Sequence, residues 1–321
     1  MFTSVRAMAI ICLLAAAGCG QQAEYPARPI ELVVPWGAGG GTDAVGRMLA
    51  NLLEQDLGKP VNVVNRIGGS GVVGHDAIAS ARPDGYTIGI ITVEIAMMRH
   101  QGLTELSSDS YTPLALINSD PTSIQVRSES PYQDLGDLIA AIRENPGKMK
   151  ASGTAQGGIW HVALYGLLHD VGIPPASVVW VPSNGNAPAM LDLVAGGVDV
   201  VAGSLPEARS LIDAGKVRSL AVLDDRNSSL FPEVPTVKAA IDSDWTMGGW
   251  RGVAAPRGLP PEIEARLAAA VKKAYDSAEF RDFMESRGFS LRWAGPGEFA
   301  QYMAESDRQM AEAMKLVGLA R

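Results

Sequence analysis

The segment Val61–Ile78, VNVVNRIGGSGVVGHDAI, sets the pattern from which the fold can be worked out. Its β-branched run, Val61–Val64, is typical of a buried strand, and Val72–Ala81 has the period of a helix. Between them, Gly69–Gly74 fits G-x-G-x-x-G, the turn that holds a dinucleotide pyrophosphate at a helix N-terminus. The segment therefore predicts a βα unit and leaves an NAD-dependent enzyme as one hypothesis.

The same alternation of strands and helices continues on both sides of this segment. Ile30–Val34 is a predicted strand, and Thr42 and Asp43 are expected to cap the helix that Gly58 ends. The pattern predicts α/β architecture with mostly parallel strands. Further predicted strands are Tyr86–Thr92, Met149–Ser152, Val178–Val181, Val198–Ala202, Ser219–Leu223 and Gly252–Ala255. Further predicted helices are Asp134–Glu144, Gly158–Val171, Ala187–Ala195, Pro261–Ser277, Ala278–Arg287 and Pro296–Val317.

Two crossings divide the predicted elements into two lobes. The pattern loosens into an extended stretch at Leu114–Val126, so one crossing is expected near residues 120–123 and the other near 246–250. The segment after Gly252–Ala255 is predicted to be all helical and to fold back onto the first lobe. Residues 25–121 and 250–321 then form lobe 1, and residues 122–249 form lobe 2. A cleft between such lobes is where α/β proteins hold ligands.

The first 24 residues predict export and membrane attachment. Arg6 precedes an apolar stretch, Ala7–Ala17, that is shorter than the about 20 residues that a membrane span needs. Residues 1–18 are therefore predicted to be a lipoprotein signal peptide, followed by a tether at residues 19–24. The ending Ala16-Ala17-Gly18-Cys19 resembles a bacterial lipobox, which predicts a lipid on Cys19. A leader cut elsewhere, with Cys19 incidental, is the alternative.

Composition excludes several classes of function. Cys12 and Cys19 are the only cysteines, so a chain beginning at Cys19 forms no disulfide and no cysteine metal site. That chain of 303 residues carries 26 basic and 35 acidic residues, a net charge of −9, and a nucleic-acid partner is not expected. No G-x-S-x-G elbow occurs, and no H-E-x-x-H motif surrounds any of the four histidines. No metal and no cofactor is predicted.

Glycine-rich turns follow four of the predicted strands: Pro35–Asp43, Gly68–Gly71, Ser152–Gly158 and Pro182–Gly185. This repetition weakens the dinucleotide hypothesis, because a Rossmann unit carries its fingerprint in the first βα turn and here it lies in the second. Tight corners alone explain any single turn of this kind. Four of them, with Ser and Thr interleaved, favour an anion site, since unpaired amides at helix starts bind anions without basic side chains.

Glu94 follows the predicted strand Tyr86–Thr92 and admits several interpretations. In the dinucleotide hypothesis it stands near the position of the ribose-binding acid. It could instead contact another ligand, although an acid at the end of a strand is more often solvated or a helix cap.

Six motifs in this order resemble the periplasmic substrate-binding proteins of tripartite tricarboxylate transporters, also called Bug receptors. They are YPARPIELVVPWGAGGGTDAVGRMLA, VNVVNRIGGSGVVG, RPDGYTIGI, ASGTAQGGIWH, VPSNGNAPAMLDLVAGGVDV and LFPEVPTVKAA. The resemblance runs from about Tyr25 to the C-terminus. It implies a type II periplasmic-binding-protein fold, with two α/β lobes that close on a small organic carboxylate. It also implies that the dinucleotide match is accidental.

The resemblance places the binding residues mainly at Trp36, Ala38–Asp43 and Ser152–Gly157, with His161 just inside the next helix and Ser183–Asn186 as a third segment. Ala202-Gly203-Ser204 stands where many members have Asp or Asn, so selectivity there does not carry over. The roles of Arg66 and Arg251 stay open. The predicted ligand-binding residues are Trp36, Ala38, Gly39, Gly40, Thr42, Asp43, Gly69, Ser70, Thr92, Glu94, Ser152, Thr154, Gln156, Gly157, His161, Ser183, Asn184 and Ser204.

These observations predict a receptor that is not an enzyme. It is expected to be a periplasmic monomer, anchored through Cys19, that binds a di- or tricarboxylate and delivers it to a membrane permease. One rival is a carboxylate sensor that presents its ligand to a membrane signalling kinase. The other rival is the secreted NAD-dependent enzyme.

Overall fold

The computed structural model describes residues 25–228 and 230–321, so the predicted leader, the tether and Cys19 lie outside the described residues. The strands are β1 (Ile30–Val34), β2 (Val61–Asn65), β3 (Thr87–Thr92), β4 (Tyr111–Arg127), β5 (Met149–Ser152), β6 (Val178–Trp180), β7 (Val200–Ser204), β8 (Val217–Val222), β9 (Gly248–Pro256) and β10 (Leu291–Ala294). The helices are α1 (Gly41–Leu57), α2 (Val72–Ala79), α3 (Leu135–Glu144), α4 (Ile159–Asp170), α5 (Asn186–Ala195), α6 (Leu205–Asp213), α7 (Val237–Ile241), α8 (Pro261–Asp276), α9 (Ala278–Arg287) and α10 (Pro296–Leu316).

The strands form two halves that share β4. One half has the order β2-β1-β3-β9-β4, and the other has the order β4-β7-β5-β6. β10 and β8 also pair with β4. The outer strands pair in parallel, but β9 and β4 are antiparallel to their neighbours. The expectation of mostly parallel strands is therefore wrong at the centre of the molecule, where the long connecting strands run back against the rest.

β4 changes partners along its length. Residues 111–121 pair with β9, whereas residues 122–126 pair with β7. The stretch that looked loose in sequence is thus a strand of 17 residues, in which Pro121 lies opposite Gly248. Two α/β lobes result, joined by crossovers in β4 and β9. The change of partners supports the lobe bounds 25–121 with 250–321, and 122–249, which remain a proposal.

The structure corrects two local predictions and adds two helices that were missed. The tail is not all helical, because Leu291–Ala294 forms β10 on β4. Helix α1 begins at Gly41 with Gly40 as its N-cap, so Thr42 and Asp43 lie inside its first turn and do not cap it. Helices α6 and α7 were not predicted.

Apolar side chains cover both faces of the first lobe's sheet. Leu32 and Val34 of β1 point into the core formed with α1, α8 and α9, while Val33 points into the larger core on the opposite face. Burial on both faces explains why β1 is almost continuously apolar. Leu267 of α8 and Phe280 of α9 are fully buried in the first core, so this part of the tail folds back as predicted. Within the described part of the chain, we find no helix with the length and apolar character of a membrane span.

Candidate functional site

A cleft lies between the lobes, at the carboxyl ends of β1, β3, β5 and β7. Both lobes and the crossing strand β9 contribute to its wall. The lining residues are Trp36, Gly37, Gly40, Gly41, Thr42, Thr92, Val93, Glu94, Thr154, Ile159, Trp160, Gly185, Asn186, Ala187, Pro188, Glu207, Gly249, Trp250 and Arg251.

Three helices begin at this cleft. α1 starts after Gly40, α4 after Gly158 and α5 after Gly185, and none of these N-cap glycines can cap the helix with a side chain. The first amides of a helix lack intrahelical partners, and the helix dipole makes that end favourable for negative charge. The three starts therefore offer hydrogen-bond donors to an anion from both lobes.

Arg251 lies at the centre of a buried ion-pair cluster and is 5% exposed. Its Nε donates to Thr42 Oγ1 over 3.0 Å. One terminal nitrogen donates to Asn118 Oδ1 and, over 2.6 Å, to Asp120 Oδ2. The other donates to Glu207 Oε1 over 2.8 Å. Because Glu207 belongs to the second lobe, this last ion pair spans the cleft.

Glu207 also lies against the start of α1. A Cβ at Gly41 would collide with Glu207 Oε1, so glycine at this position lets the carboxylate approach the first amides of α1. Burial raises the pKa of Glu207, although the charge of Arg251 and the amide of Gly41 favour its ionised form. The carboxylate of one lobe is thus held by a cation and by a helix N-terminus of the other lobe.

Glu94 makes the same kind of contact in the opposite direction, from the first lobe to a helix start of the second lobe. It is 4% exposed, follows β3 of the first lobe, and accepts a long hydrogen bond (3.4 Å) on Oε1 from the amide of Ile159 at the start of α4. Its Oε2 accepts a bond of 2.5 Å from the hydroxyl of Thr92, whose oxygen in turn accepts from Trp36 Nε1 over 3.2 Å. Burial raises the pKa of Glu94, against the effect of these donors. Each lobe therefore places one buried carboxylate at a helix N-terminus of the other lobe.

Tryptophan rings form much of the apolar wall. Trp36, Trp160 and Trp250 line the cleft and are each more than nine-tenths buried. Trp250 is held by a hydrogen bond from Nε1 to Ser306 Oγ and by edge contacts with Phe299. Indole faces of this kind pack on aliphatic groups and attract cations.

Two lining side chains have polar atoms without a hydrogen-bond partner among the described residues. They are the hydroxyl of Thr154 and the side-chain amide of Asn186, which lies beside Glu207 and lowers the pKa of that carboxylate. Thr154 and Asn186 are 6% and 3% exposed, so water reaches them poorly. Because a buried unpaired polar group costs about 1–3 kcal/mol, these atoms are where a ligand would gain hydrogen bonds.

Six of the predicted ligand-binding residues line this cleft: Trp36, Gly40, Thr42, Thr92, Glu94 and Thr154. Three others, Ser70, Ser183 and Asn184, line an adjoining depression that Trp36 shares. Among these, Ser70 adopts a left-handed backbone conformation in the turn before α2. The structure brings these nine residues together on one side of the molecule.

The remaining predicted residues lie away from the cleft wall. Ala38, Gly39, Gly69 and Gln156 are exposed. The carboxylate of Asp43 accepts hydrogen bonds from the amide of Gly39 and the side chains of Arg47 and Asn65, which lower its pKa despite burial.

Four buried residues of this group bond within the protein. Ser152 donates to Val181 O over 2.7 Å, and Ser204 donates to Asp120 Oδ2 over 3.3 Å. Gly157 accepts from Gln101 at its carbonyl and donates from its amide to His161 Nδ1.

His161 is a neutral packing residue of the second lobe. Its ring stacks on Trp180 with centroids 4.4 Å apart. Burial lowers the pKa of His161 to about 3. Since Nδ1 accepts the Gly157 amide, the ring proton is on Nε2, which has no partner among the described residues.

The structure separates the two arginines whose roles were open. Arg66 pairs with Glu31 on the surface, over 2.9 Å, whereas Arg251 lines the cleft. Sequence reasoning did not single out Glu207, Trp160 or Trp250, whereas Asn186 belongs to the predicted third segment, Ser183–Asn186. Glu207 stands three residues after the predicted residue Ser204, so inspection of the first helical turn after β7 could have found it.

Comparison with known proteins places this geometry among solute receptors. Residues 45–319 match the family described as tripartite tricarboxylate transporter family receptor. A relative from Pseudomonas sp. strain P51, named UPF0065 protein in tcbD-tcbE intergenic region, is 33% identical over 289 residues. The match covers 88% of this chain and 85% of that protein.

Two solved structures have a similar fold. Rpa4515 of Rhodopseudomonas palustris, determined with adipate, has a TM-score of 0.87 and 27% identity, covering 92% of this chain and 99% of that one. MatC of the same organism, with bound malate, has a TM-score of 0.83 and 26% identity, covering 90% and 99%. These similarities confirm the predicted type II periplasmic-binding-protein fold.

Proposed function

This chain belongs to the tripartite tricarboxylate transporter receptor family of periplasmic solute-binding proteins, and from that membership we propose that it binds a small di- or tricarboxylate between its lobes and delivers it to a membrane permease. The family match also bears out the resemblance carried by the six sequence motifs. Structures of the same fold hold malate and adipate, which are both dicarboxylates.

The observation that carries the proposal is the meeting of three helix N-termini at one interlobe cleft. α1 comes from the first lobe, and α4 and α5 come from the second, so an anion between them can bond to both lobes at once. Binding that involves both lobes stabilises the closed arrangement relative to an open one. This coupling is what a receptor needs if a permease is to distinguish its loaded form.

The ligand contacts that we propose follow from the lining residues. The backbone amide of Asn186 and the hydroxyl of Thr154 donate hydrogen bonds to carboxylate oxygens, and the tryptophan rings pack on the carbon skeleton. The predicted contacts at Ser70, Ser183 and Asn184 belong to the adjoining depression and would serve a longer ligand.

A thermal-shift screen of mono-, di- and tricarboxylates, with sugars and cations as controls, tests the proposal. A ligand present at 100 times its dissociation constant adds about 2.7 kcal/mol to the free energy of unfolding, which raises the melting temperature by several degrees. A shift with a sugar or a cation and with no carboxylate would overturn the substrate class. Deletion of the gene should abolish uptake of the identified acid. Unchanged uptake together with a lost transcriptional response would favour the sensor alternative.

We also propose that the mature protein is held at a membrane through Cys19. A lipid on this residue would keep the receptor close to its permease. The variant Cys19→Ser should be released from the membrane fraction or remain unprocessed. A variant that fractionates and migrates on a gel as the wild type does would contradict the anchor.

A further inference from the structure

The charges that line the cleft are mostly negative before any ligand enters. Arg251 is the only basic side chain among the described lining residues, and its charge is already shared between Asp120 and Glu207. Glu94 adds a third carboxylate. With all three acids ionised, this group carries a net charge of −2, so the cleft has no cation left over for a ligand that brings further negative charge.

Glu94 accepts one hydrogen bond on each of its carboxylate oxygens. Trp36 Nε1 donates to the Thr92 oxygen, so the Thr92 hydroxyl proton is free to point at Glu94 Oε2. The other oxygen faces the Ile159 amide. All these donors are neutral, and within residues 25–228 and 230–321 no cationic side chain contacts Glu94, although the charge of Arg251 acts on it from a distance. An ionised carboxylate in a buried site is stabilised most by a positive partner, which here the protein does not supply.

The surroundings of Glu94 suit an ammonium group. Trp36 bonds to Thr92, the hydrogen-bond partner of Glu94, so one indole ring lies next to the Glu94 contacts, and Trp160 lines the same cleft. Ammonium groups are attracted to indole faces and form charge-assisted hydrogen bonds to carboxylates. The unpartnered Thr154 hydroxyl lies nearby, since Thr154 Oγ1 and Glu94 Oε1 both lie within 4 Å of the Cβ position of Gly158.

We propose that the ligand is an amino carboxylate, whose ammonium group donates to Glu94 beside Trp36, and whose carboxylates are held by Thr154 and by the N-terminus of α5 at Asn186. This inference rests on the proposed function and narrows its substrate class. A plain dicarboxylate would place like charge beside Glu94, and two carboxylates sharing one site cannot both stay ionised without a cation.

Matched pairs of ligands test the inference directly. Succinate and L-aspartate have the same carbon skeleton and differ by one amino group, as do glutarate and L-glutamate. We expect the amino member of a pair to bind about 10-fold to 100-fold more tightly, the range of one charge-assisted hydrogen bond. Titration calorimetry at pH 7 on the wild-type protein measures the difference, preceded by a thermal-shift comparison of the same pairs and of the other amino acids.

The variant Glu94→Gln tests whether this carboxylate causes the preference for the amino ligand of each pair. Glutamine keeps the shape and still accepts from Thr92, but it removes the charge, so the preference for the amino member should shrink at least about 10-fold. The control Glu262→Gln makes the same change on the exposed first turn of α8 and should leave the preference unchanged. Circular dichroism establishes that both variants fold.

The outcomes separate the two proposals. Binding of succinate or glutarate that equals or exceeds that of the amino partner overturns the inference and leaves the carboxylate receptor standing. An amino preference that survives in Glu94→Gln overturns the role of Glu94. If no carboxylate of any kind binds, the inference and the proposed function both fail.

Discussion

Glu94 and Glu207 are two buried carboxylates that occupy matching positions and have different partners. Each comes from one lobe and reaches a helix N-terminus of the other. Glu207 is paired with Arg251 over 2.8 Å, whereas in the described part of the chain the Glu94 carboxylate accepts from the Thr92 hydroxyl and the Ile159 amide and from no cationic side chain. The difference separates two tasks. Glu207 completes an ion pair that holds the lobes together, and Glu94 remains available for a positive group from outside.

The largest effect is expected from Arg251→Met. This change leaves Asp120 and Glu207 buried without their cation, and an uncompensated buried charge costs about 3–5 kcal/mol. Urea denaturation at pH 7 should show this loss in the free energy of unfolding. The loss should diminish as the pH is lowered, because burial raises the pKa of Glu207 and its protonation removes one of the two unpaired charges. A loss of less than about 1 kcal/mol at pH 7 would mean that the cluster contributes little.

The next largest effect is a difference in stability between the variants of the two glutamates. Glu207→Gln removes the ion pair across the cleft but leaves Arg251 paired with Asp120, so we expect a loss of about 1.5–3 kcal/mol, the range for hydrogen bonds to charged groups. Glu94→Gln removes a charge that no cation compensates and should be neutral or stabilising in the absence of ligand. Parallel urea titrations measure both changes. Equal destabilisation by the two variants would break the comparison.

Thr154→Val probes the unpartnered hydroxyl near Glu94. Valine has nearly the same shape and removes a polar atom that lacks a partner, so the ligand-free protein should gain about 1 kcal/mol. The same change should weaken ligand binding about 10-fold, because the ligand loses a hydrogen bond. Thermal melting without ligand measures the expected gain in stability, and calorimetry measures the expected loss of ligand affinity. Loss of stability without ligand would show that the hydroxyl has an internal partner.

The smallest effect is a change in pH dependence. Burial raises the pKa of Glu94 above its usual value of 4.5, so the folded state binds its proton more tightly than the unfolded state does. The favourable contribution is complete below pH 4.5 and is lost as the pH rises through the folded pKa. Glu94→Gln removes this loss, so the stability of the variant relative to wild type should increase as the pH rises above 4.5, within about 1 kcal/mol. Melting temperatures at matched pH values measure it. A constant difference from pH 4 to pH 8 would contradict a raised pKa.

Local patterns account for the parts of the fold that were predicted correctly. Strands such as Ile30–Val34 are short apolar runs, and the glycines between them locate the turns that build the cleft. β10 was missed because Leu291–Ala294 is only four residues long and lies among helices. The antiparallel placement of β9 could not be predicted from local patterns either, because strand direction depends on pairing partners distant in sequence.

The candidate site also contains some residues that the sequence predicted and others that it could not predict. Trp36, Thr42 and Thr154 belong to glycine-rich motifs that can be recognised in the sequence, and the structure places them on the cleft wall. The cluster of Arg251 with Asp120 and Glu207 joins positions 44 and 131 residues apart. Each of these residues alone looks like an ordinary surface charge. Only the folded arrangement shows that they are buried together.

The crossing between the lobes has a mechanical consequence. At the crossing, β4 and β9 remain paired, with Ser119 opposite Trp250, Asp120 opposite Gly249 and Pro121 opposite Gly248. A loop that joins two bodies rotates almost freely, but a hydrogen-bonded two-stranded ribbon resists rotation and returns elastically when bent. Opening the cleft must therefore flex this ribbon, and the lobes move along one restricted arc. The protein would then pass between its open and closed forms through a small number of reproducible shapes.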